Sequence, residues 1–281
     1  MSALPSGIDN FRAEFERVEA QLPGADLPRL REVRRQAMTV FSRQGFPTRK
    51  DEHWKYTSVA AIVQQNFRPS LASDSALDTN ALAPFRLADA VCELVFVNAH
   101  YCADLSRVDE LPQGLYVDSL AALLQQGDTE LAEQFNALGD AAHGAFSSLN
   151  TAFACDGAFI KIADKVTLDR PVHILHISTA ANGEQALASF ARHVLQAGRN
   201  SKAQVVASYH ALGDAKNLNN VNTTLVLGDG AQLEFYKLQD EAIGSFHVEQ
   251  IEVQQGPDSR LVSFSIALGA TLARTDIQVR L

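Results

Sequence analysis

Residues 228–238 run Gly-Asp-Gly-Ala-Gln-Leu-Glu-Phe-Tyr-Lys-Leu. Gly228-Asp229-Gly230 is a tight-turn signal, and after it Ala231, Leu233 and Phe235 alternate with Gln232, Glu234 and Tyr236. Side chains alternate in direction along an extended chain, so this period of two predicts a strand with one apolar face. Val262, Phe264, Ile266 and Leu268 repeat the pattern against Ser263, Ser265 and Ala267. Working outward, short apolar runs divided by Gly, Asn and Asp predict strands near 158–162, 172–178, 190–197, 203–210, 221–227, 231–238, 246–254, 260–268 and 274–280. Seven of the nine prolines precede this region, leaving only Pro171 and Pro257 where they would interrupt a sheet. Closely spaced strands without intervening helices suit a sandwich, a barrel or a β-solenoid alike, and periodicity does not separate the three.

The first half has a different period. Ile8, Phe11, Phe15, Val18 and Leu22 recur at steps of three and four, the stripe of an amphipathic helix that Pro23-Gly24 ends. A second helix can start with Pro28 in its first turn, bury Leu30, Val33, Ala37 and Phe41, and stop at Gly45, which predicts an antiparallel helical pair. Residues 64–90, rich in Ser, Ala, Asp and Pro, read as an irregular connection. Glu93 to Val97 reads as a strand, Asp118 or Ser119 as the cap of a short helix carrying Leu120, Leu123 and Leu124, and Phe146, Leu149 and Phe153 as a helix ending at Asp156-Gly157. The expected organisation is therefore a helical region over 1–63, a mixed connection over 64–156 and a strand-rich region over 157–281.

Composition narrows the class of function. Apolar residues make up 46% and charged residues 20%, ordinary for a soluble globular protein. The net charge of -9 disfavours nucleic acid as a partner, because phosphate recognition needs a basic surface. Through Ala60 the chain carries ten Lys/Arg against eight Asp/Glu, and fourteen against twenty-five thereafter. Arg29, Arg31, Arg34 and Arg35 concentrate the positive charge on one helix, expected as a solvated face. Neither a signal peptide nor a stretch of about 18 apolar residues is apparent, so a cytoplasmic protein without a membrane partner is expected. Cys92, Cys102 and Cys155, odd in number and widely spaced, read as reduced and mostly buried thiols.

The common catalytic signatures are missing. There is no G-x-x-x-x-G-K-[ST] or G-x-G-x-x-G phosphate loop, no G-x-S-x-G elbow and no H-E-x-x-H helix. His173 and His176 resemble a metal pair, but a spacing of three on a strand sends them to opposite faces. Glu234, Glu249, Glu252 and Asp276 could pair across strands for acid/base work on a glycan, against a default of exposed sheet positions. No catalytic, cofactor-binding or metal-ligating residue is therefore assigned.

The segment Pro47-Thr48-Arg49-Lys50-Asp51-Glu52-His53-Trp54-Lys55-Tyr56-Thr57 resembles the R-x-x-E-x-W-K-Y-T signature of SufB/SufD-type assembly proteins, with Arg49, Glu52, Trp54, Lys55, Tyr56 and Thr57 all matching. Its expected role is structural, the aromatics seating it against the helical pair and Arg49, Glu52 and Lys55 pairing charges at its surface. The resemblance continues through Leu149-Asn150, Asp156-Gly157, Pro171, Arg192, Asn217 to Asn220, Lys237-Leu238-Gln239, and Gly269 with Arg274, in an order similar to SufD.

This resemblance implies a mainly β fold, a right-handed parallel β-helix (β-solenoid) preceded by a helical region. It implies a non-catalytic scaffold that supports iron supply and cluster assembly with a SufB-like subunit and a SufC-like ATPase, with a possible homodimer of the full-length form. Any iron-sulfur cluster would belong to the complex, and ATP hydrolysis to a partner. SufD-like chains also continue past the equivalent of Leu281, so a truncated form with a bare last coil is expected. The rival readings are a β-helix carbohydrate-active enzyme and an unrelated protein-interaction module.

Overall fold

The computed structural model describes residues 7–71, 77, 79–127, 144–180, 186–214 and 216–281. Helix α1 (Gly7–Val18) buries Phe11, Phe15 and Val18, and α2 (Pro28–Gln44) buries Leu30, Val33, Ala37 and Phe41 along the anticipated stripe. Gly45 closes α2 in the left-handed region at φ 69°, its N–H donating to the Phe41 carbonyl. The short helices α3 (Ala60–Val63) and α4 (Leu120–Gln125) follow, the latter capped by the Ser119 hydroxyl accepting from the Ala122 N–H. Helix α5 (Ala145–Phe153) is buried all round. Instead of a simple α1–α2 hairpin, α2 packs most extensively on α5, because α5 lies between the head and the sheet.

The strands are β1 (Phe67–Pro69), β2 (Cys92–Val97), β3 (His100–Tyr101), β4 (Leu115–Ser119), β5 (Ala158–Ile162), β6 (Val172–Thr179), β7 (Ala186–Ala197), β8 (Lys202–Leu212), β9 (Leu218–Leu227), β10 (Gln232–Asp240), β11 (Phe246–Gln255), β12 (Arg260–Ala267) and β13 (Leu272–Arg280). They divide into two sheets, ordered β13-β11-β9-β7-β5-β4 and β12-β10-β8-β6-β2-β3, with β1 added beside β7. From β6 onward the chain crosses from one sheet to the other at each strand and returns beside its last visit. Val194 of β7 lies beside Thr224 of β9, and Phe246 of β11 beside Leu272 of β13, all in parallel. Only the end pairs β2·β3 and β4·β5 are antiparallel among the described strand pairs. The result is a β-solenoid of about three turns preceded by an N-terminal helical region.

Two faces of each strand are used. The inward face supplies Ala191, Leu195, Val205, Leu225, Leu233 and Phe235 to one core. The outward face of the β7 sheet supplies Ala188, Phe190, Leu218 and Phe246 to a second core, shared with Phe11, Phe15, Phe41 and Phe153 of the helices. Phe153 stacks on Phe190 at 4.9 Å and 18°, which fixes the helical head on the solenoid wall. Regions 64–90 and 92–119 contribute β1 and β2 to the sheets by pairing with β7 and β6. Among the described residues no helix is long and apolar enough to cross a membrane.

Candidate functional site

One group of chemistry-bearing side chains collects inside the solenoid. Parallel in-register stacking places equivalent positions of successive coils one above another, so like side chains form columns. Phe96, His176 and Tyr209 make one, with Phe96–His176 at 4.9 Å and 14° and His176–Tyr209 at 4.8 Å and 13°. Across the lumen His193 brings its Nε2 to 3.0 Å from the His176 Nε2, and His247 meets the Tyr209 ring edge-on at 4.8 Å.

Below this stack lies a buried charge cluster. Lys237 Nζ stands 2.5 Å from Glu249 Oε2, donates to Thr275 Oγ1 at 2.8 Å and lies 2.9 Å from His247 Nε2. His247 Nδ1 faces Glu241 Oε2 at 3.0 Å. Glu241 also accepts from Gln239 Nε2 at 2.9 Å and from Asn219 Nδ2, and Thr223 donates to Glu249 at 2.9 Å. Burial alone would raise the Glu249 pKa, but Lys237 and then His247 outweigh it and hold the carboxyl well below its ordinary range. Glu241 is likewise lowered, burial being overcome by His247, Gln239 and Asn219.

These residues correct the expectation that Glu249 and Glu252 are exposed sheet positions, since both are buried. They also bear on the glycosidase reading. Glu241 and Glu249 flank one imidazole, yet both side chains are 0% exposed and both are held ionised, so neither can serve as a general acid toward a sugar. His173 and His176 do take opposite faces: His173 bonds Glu93 and Ser208 outside the β6 sheet, while His176 points into the lumen. The His176–His193 pair is unsuited to a metal, because His193 Nδ1 already accepts the Ala158 N–H at 2.9 Å and its Nε2 must keep the hydrogen. Among the described residues no group of three or more His, Cys, Asp or Glu is placed to hold a metal ion. Cys92 and Cys155 are buried, and burial pushes both thiols up to about 12, so neither is a reactive thiolate at neutral pH.

The signature segment sits on the outside. Trp54 stacks on Phe146 of α5 at 5.4 Å and carries the Arg274 guanidinium 4.2 Å from its ring centre. Arg274 is held bidentate by Asp276, at 2.9 and 2.6 Å, and donates to Thr57 Oγ1 at 3.3 Å. Trp54 and Thr57 are thus joined to β13, at the far end of the chain. Tyr56 stands 91% exposed with Lys55 Nζ over its ring at 5.5 Å, and Arg49, Glu52 and Lys55 are exposed without an ion pair among the described residues. A cleft of about 520 Å³ separates this segment from β11 and β13, lined in part by Pro47, Trp54, Gln250 and Asp276.

Of the matches further along the chain, Lys237 and Gln239 lie in the lumen cluster, while Asn150, Arg192 and Asn220 meet at the joint between head and solenoid. Asn150 of α5 donates to the Ala191 and Asn220 carbonyls, at 2.9 and 2.8 Å, and Asn220 donates back to the Phe146 carbonyl at 2.8 Å. Buried Arg192 donates to Asn150 Oδ1 at 3.2 Å and Thr151 Oγ1 at 2.7 Å. Asp156 binds the Ser119 hydroxyl and the Tyr101 and Ala121 N–H groups. Arg34 is a correction of the same kind: it is 1% exposed and donates to the Ala152, Ala154 and Pro23 carbonyls instead of facing water. Arg29, Arg31 and Arg35 are exposed as expected, Arg35 bound to Glu19 at 2.6 Å and Arg31 to the Ala25 carbonyl.

Comparison with known proteins agrees with this architecture. Residues 7–174 match the family model described as the SufBD protein N-terminal region, and residues 177–281 that of the SUF system FeS cluster assembly SufBD core domain. The chain is 26% identical over 272 residues to an iron-sulfur cluster assembly SufBD family protein of Synechocystis, covering 93% of this chain and 58% of that protein. It is 26% identical over 240 residues to the iron-sulfur cluster assembly protein SufD of Escherichia coli, covering 85% and 53%. The chain therefore spans little more than half the length of these relatives.

Proposed function

This chain belongs to the SufBD family of the SUF iron-sulfur cluster assembly system, and from that premise we propose that it is a non-catalytic scaffold subunit, supporting iron supply and cluster assembly together with a SufB-like subunit and a SufC-like ATPase in the cytoplasm. The observation that carries the reading is the pair of family matches running through helical head and solenoid alike. The geometry supports it. Buried charges in the lumen satisfy one another, and residues of the sequence resemblance such as Asn150 and Arg192 hold helical head and solenoid together. Iron and the growing cluster are cargo of the assembly, and ATP hydrolysis belongs to the SufC-like partner. Alone the protein forms a homodimer in this reading, and with its partners a complex.

The test is co-purification. The tagged protein, expressed with a SufB-like subunit and a SufC-like ATPase, is expected to bring down both and to lose neither in moderate salt. Recovery of the tagged protein without either partner would remove the scaffold reading.

A further inference from the structure

Outside the lumen, three strands of the β6 sheet bring a second polar group together. Ser208 of β8 lies with its Oγ 2.7 Å from His173 Nε2, and His173 Nδ1 lies 2.8 Å from Glu93 Oε2 on β2. All three are buried, Glu93 and His173 at 1% and Ser208 at 3% exposure. Glu93 is further bound by Arg86 and, at 3.4 Å, by Arg107. A carboxylate only accepts, so an Nδ1 hydrogen of His173 answers Glu93, and in the tautomer that carries its one hydrogen there the Nε2 lone pair faces the Ser208 hydroxyl and accepts its proton. Its oxygen has no other hydrogen-bond partner among the described residues, which leaves its lone pairs unspent.

We propose that Ser208 is an activated nucleophile, with His173 as its base and Glu93 as the positioning residue, and that it accepts an apolar acyl group from an ester or thioester. The roles follow the geometry of an acyl-transfer relay: nucleophile, base and orienting carboxylate in hydrogen-bonded order. The apolar preference follows from the register. Ser208 is flanked by Leu175 and Leu238, and Leu238 by Ile266, so an apolar row leads outward from the hydroxyl to a residue 41% exposed. In the reaction the Oγ–carbonyl carbon bond forms as the hydroxyl proton passes to His173 Nε2. The bond to the leaving alcohol or thiol then breaks, and that group takes the proton from the imidazolium. Acyl-Ser208 and a free alcohol or thiol result.

Access is controlled by the 3-10 turn Thr79–Phe85 and the residue after it. Phe85 stacks on His210, two residues from Ser208 along the same face, at 4.5 Å and 28°. Arg86 fastens the turn by its contact with Glu93 and by donating to the Leu105 carbonyl at 2.8 Å. This relay shares no residue with the lumen cluster and stands independently of the scaffold reading.

The experiment treats the full chain with p-nitrophenyl octanoate and p-nitrophenyl acetate, following nitrophenolate release and locating the adduct by peptide mass. One acyl group per chain on Ser208 is expected, formed faster from the octanoyl ester. Ser208→Ala abolishes it, His173→Gln slows it by about 100-fold or more, the usual contribution of a general base, and Glu93→Gln slows it less. Arg86→Ala speeds it by freeing the turn. Near-UV circular dichroism identifies variants that keep the native packing, and Glu93→Gln serves if His173→Gln does not. The proposal is overturned if natively packed wild-type and Arg86→Ala proteins both lack a Ser208 adduct, or if the acylation rate is indifferent to His173 and Glu93. Either failure would leave co-purification with the Suf partners unchanged.

Discussion

His193 and His176 face each other across the lumen with their Nε2 atoms 3.0 Å apart. Because the Ala158 N–H points at His193 Nδ1, that nitrogen is an acceptor and Nε2 bears the hydrogen. His193 therefore donates to His176 Nε2, and His176 keeps its hydrogen on Nδ1. A second proton on His176 would set two N–H groups against one another in a dry space. Burial depresses both imidazoles, His193 to about 4 and His176 by burial and then by His193 itself.

Acid should therefore act on this pair first. Their folded-state pKa values lie below the ordinary 6.5, so the unfolded chain binds more protons as the pH falls. The stabilising effect is complete above about 6.5 and is lost progressively as the pH falls toward about 4. For His193 the loss is on the order of 3 kcal/mol across that window. Urea unfolding at several pH values should show this slope in the wild type and a flatter one in His193→Asn, which keeps an acceptor for Ala158. An identical slope in the variant would exclude the pair as its source.

The ion pair of Lys237 and Glu249 has a different signature. Their side chains are 4% and 0% exposed, so removing one partner strands the other charge where water cannot reach it. Lys237→Met should cost about 3–5 kcal/mol, and the double variant Lys237→Met, Glu249→Gln should recover part of that loss. Denaturant midpoints decide the matter. If the double variant is as unstable as the sum of the single ones, the two residues are not coupled.

Gly157 sits where β5 begins, pressed against the neighbouring coil. A methyl group there would come 1.8 Å from the Arg192 carbonyl oxygen, which is backbone and cannot swing aside. Gly157→Ala is expected to destabilise by at least the upper part of the ~1–3 kcal/mol range for overpacking, and to loosen Asp156 and the Arg192–Asn150 joint. Near-native thermal stability in that variant would show that the coils can separate locally.

How far the fold could be read from sequence follows from which forces leave a local trace. The strands of the solenoid were legible because each needs one apolar face, and period two records it at Leu233 and Phe235. The lumen cluster was not, although a signal was available: Lys237 and Gln239 fall in phase with Leu233 and Phe235, and His247 and Glu249 in phase with Ile251 and Val253. Polar residues occupying inward positions mark a buried network, whereas a prior for exposed charge hides it. Arg34 is the helical counterpart, standing four residues after Leu30 and three before Ala37, within the apolar stripe. The choice of solenoid over sandwich lay beyond periodicity, since it is made by pairings such as Val194 with Thr224 that no local pattern encodes. Family resemblance supplied it instead. The signature segment showed the same limit: its contact with Arg274 joins residues from opposite ends of the chain.

That contact gives the last prediction. Trp54 receives the Arg274 guanidinium at 4.2 Å, and the same guanidinium is oriented by Asp276 and touches Thr57. The pair therefore fastens the signature segment to β13 through one pre-oriented cation. A double-mutant cycle with Trp54→Ala and Arg274→Ala should return a coupling energy of about 1 kcal/mol, between the values for exposed and desolvated cation–π pairs. Asp276→Asn should reduce that coupling, because the fork is then held by a neutral group, while Tyr56→Ala, at an exposed position, should leave stability within about 0.5 kcal/mol of wild type. A coupling indistinguishable from zero would mean that Trp54 is retained by its stacking on Phe146 alone, and the link between the signature and β13 would lose its energetic basis.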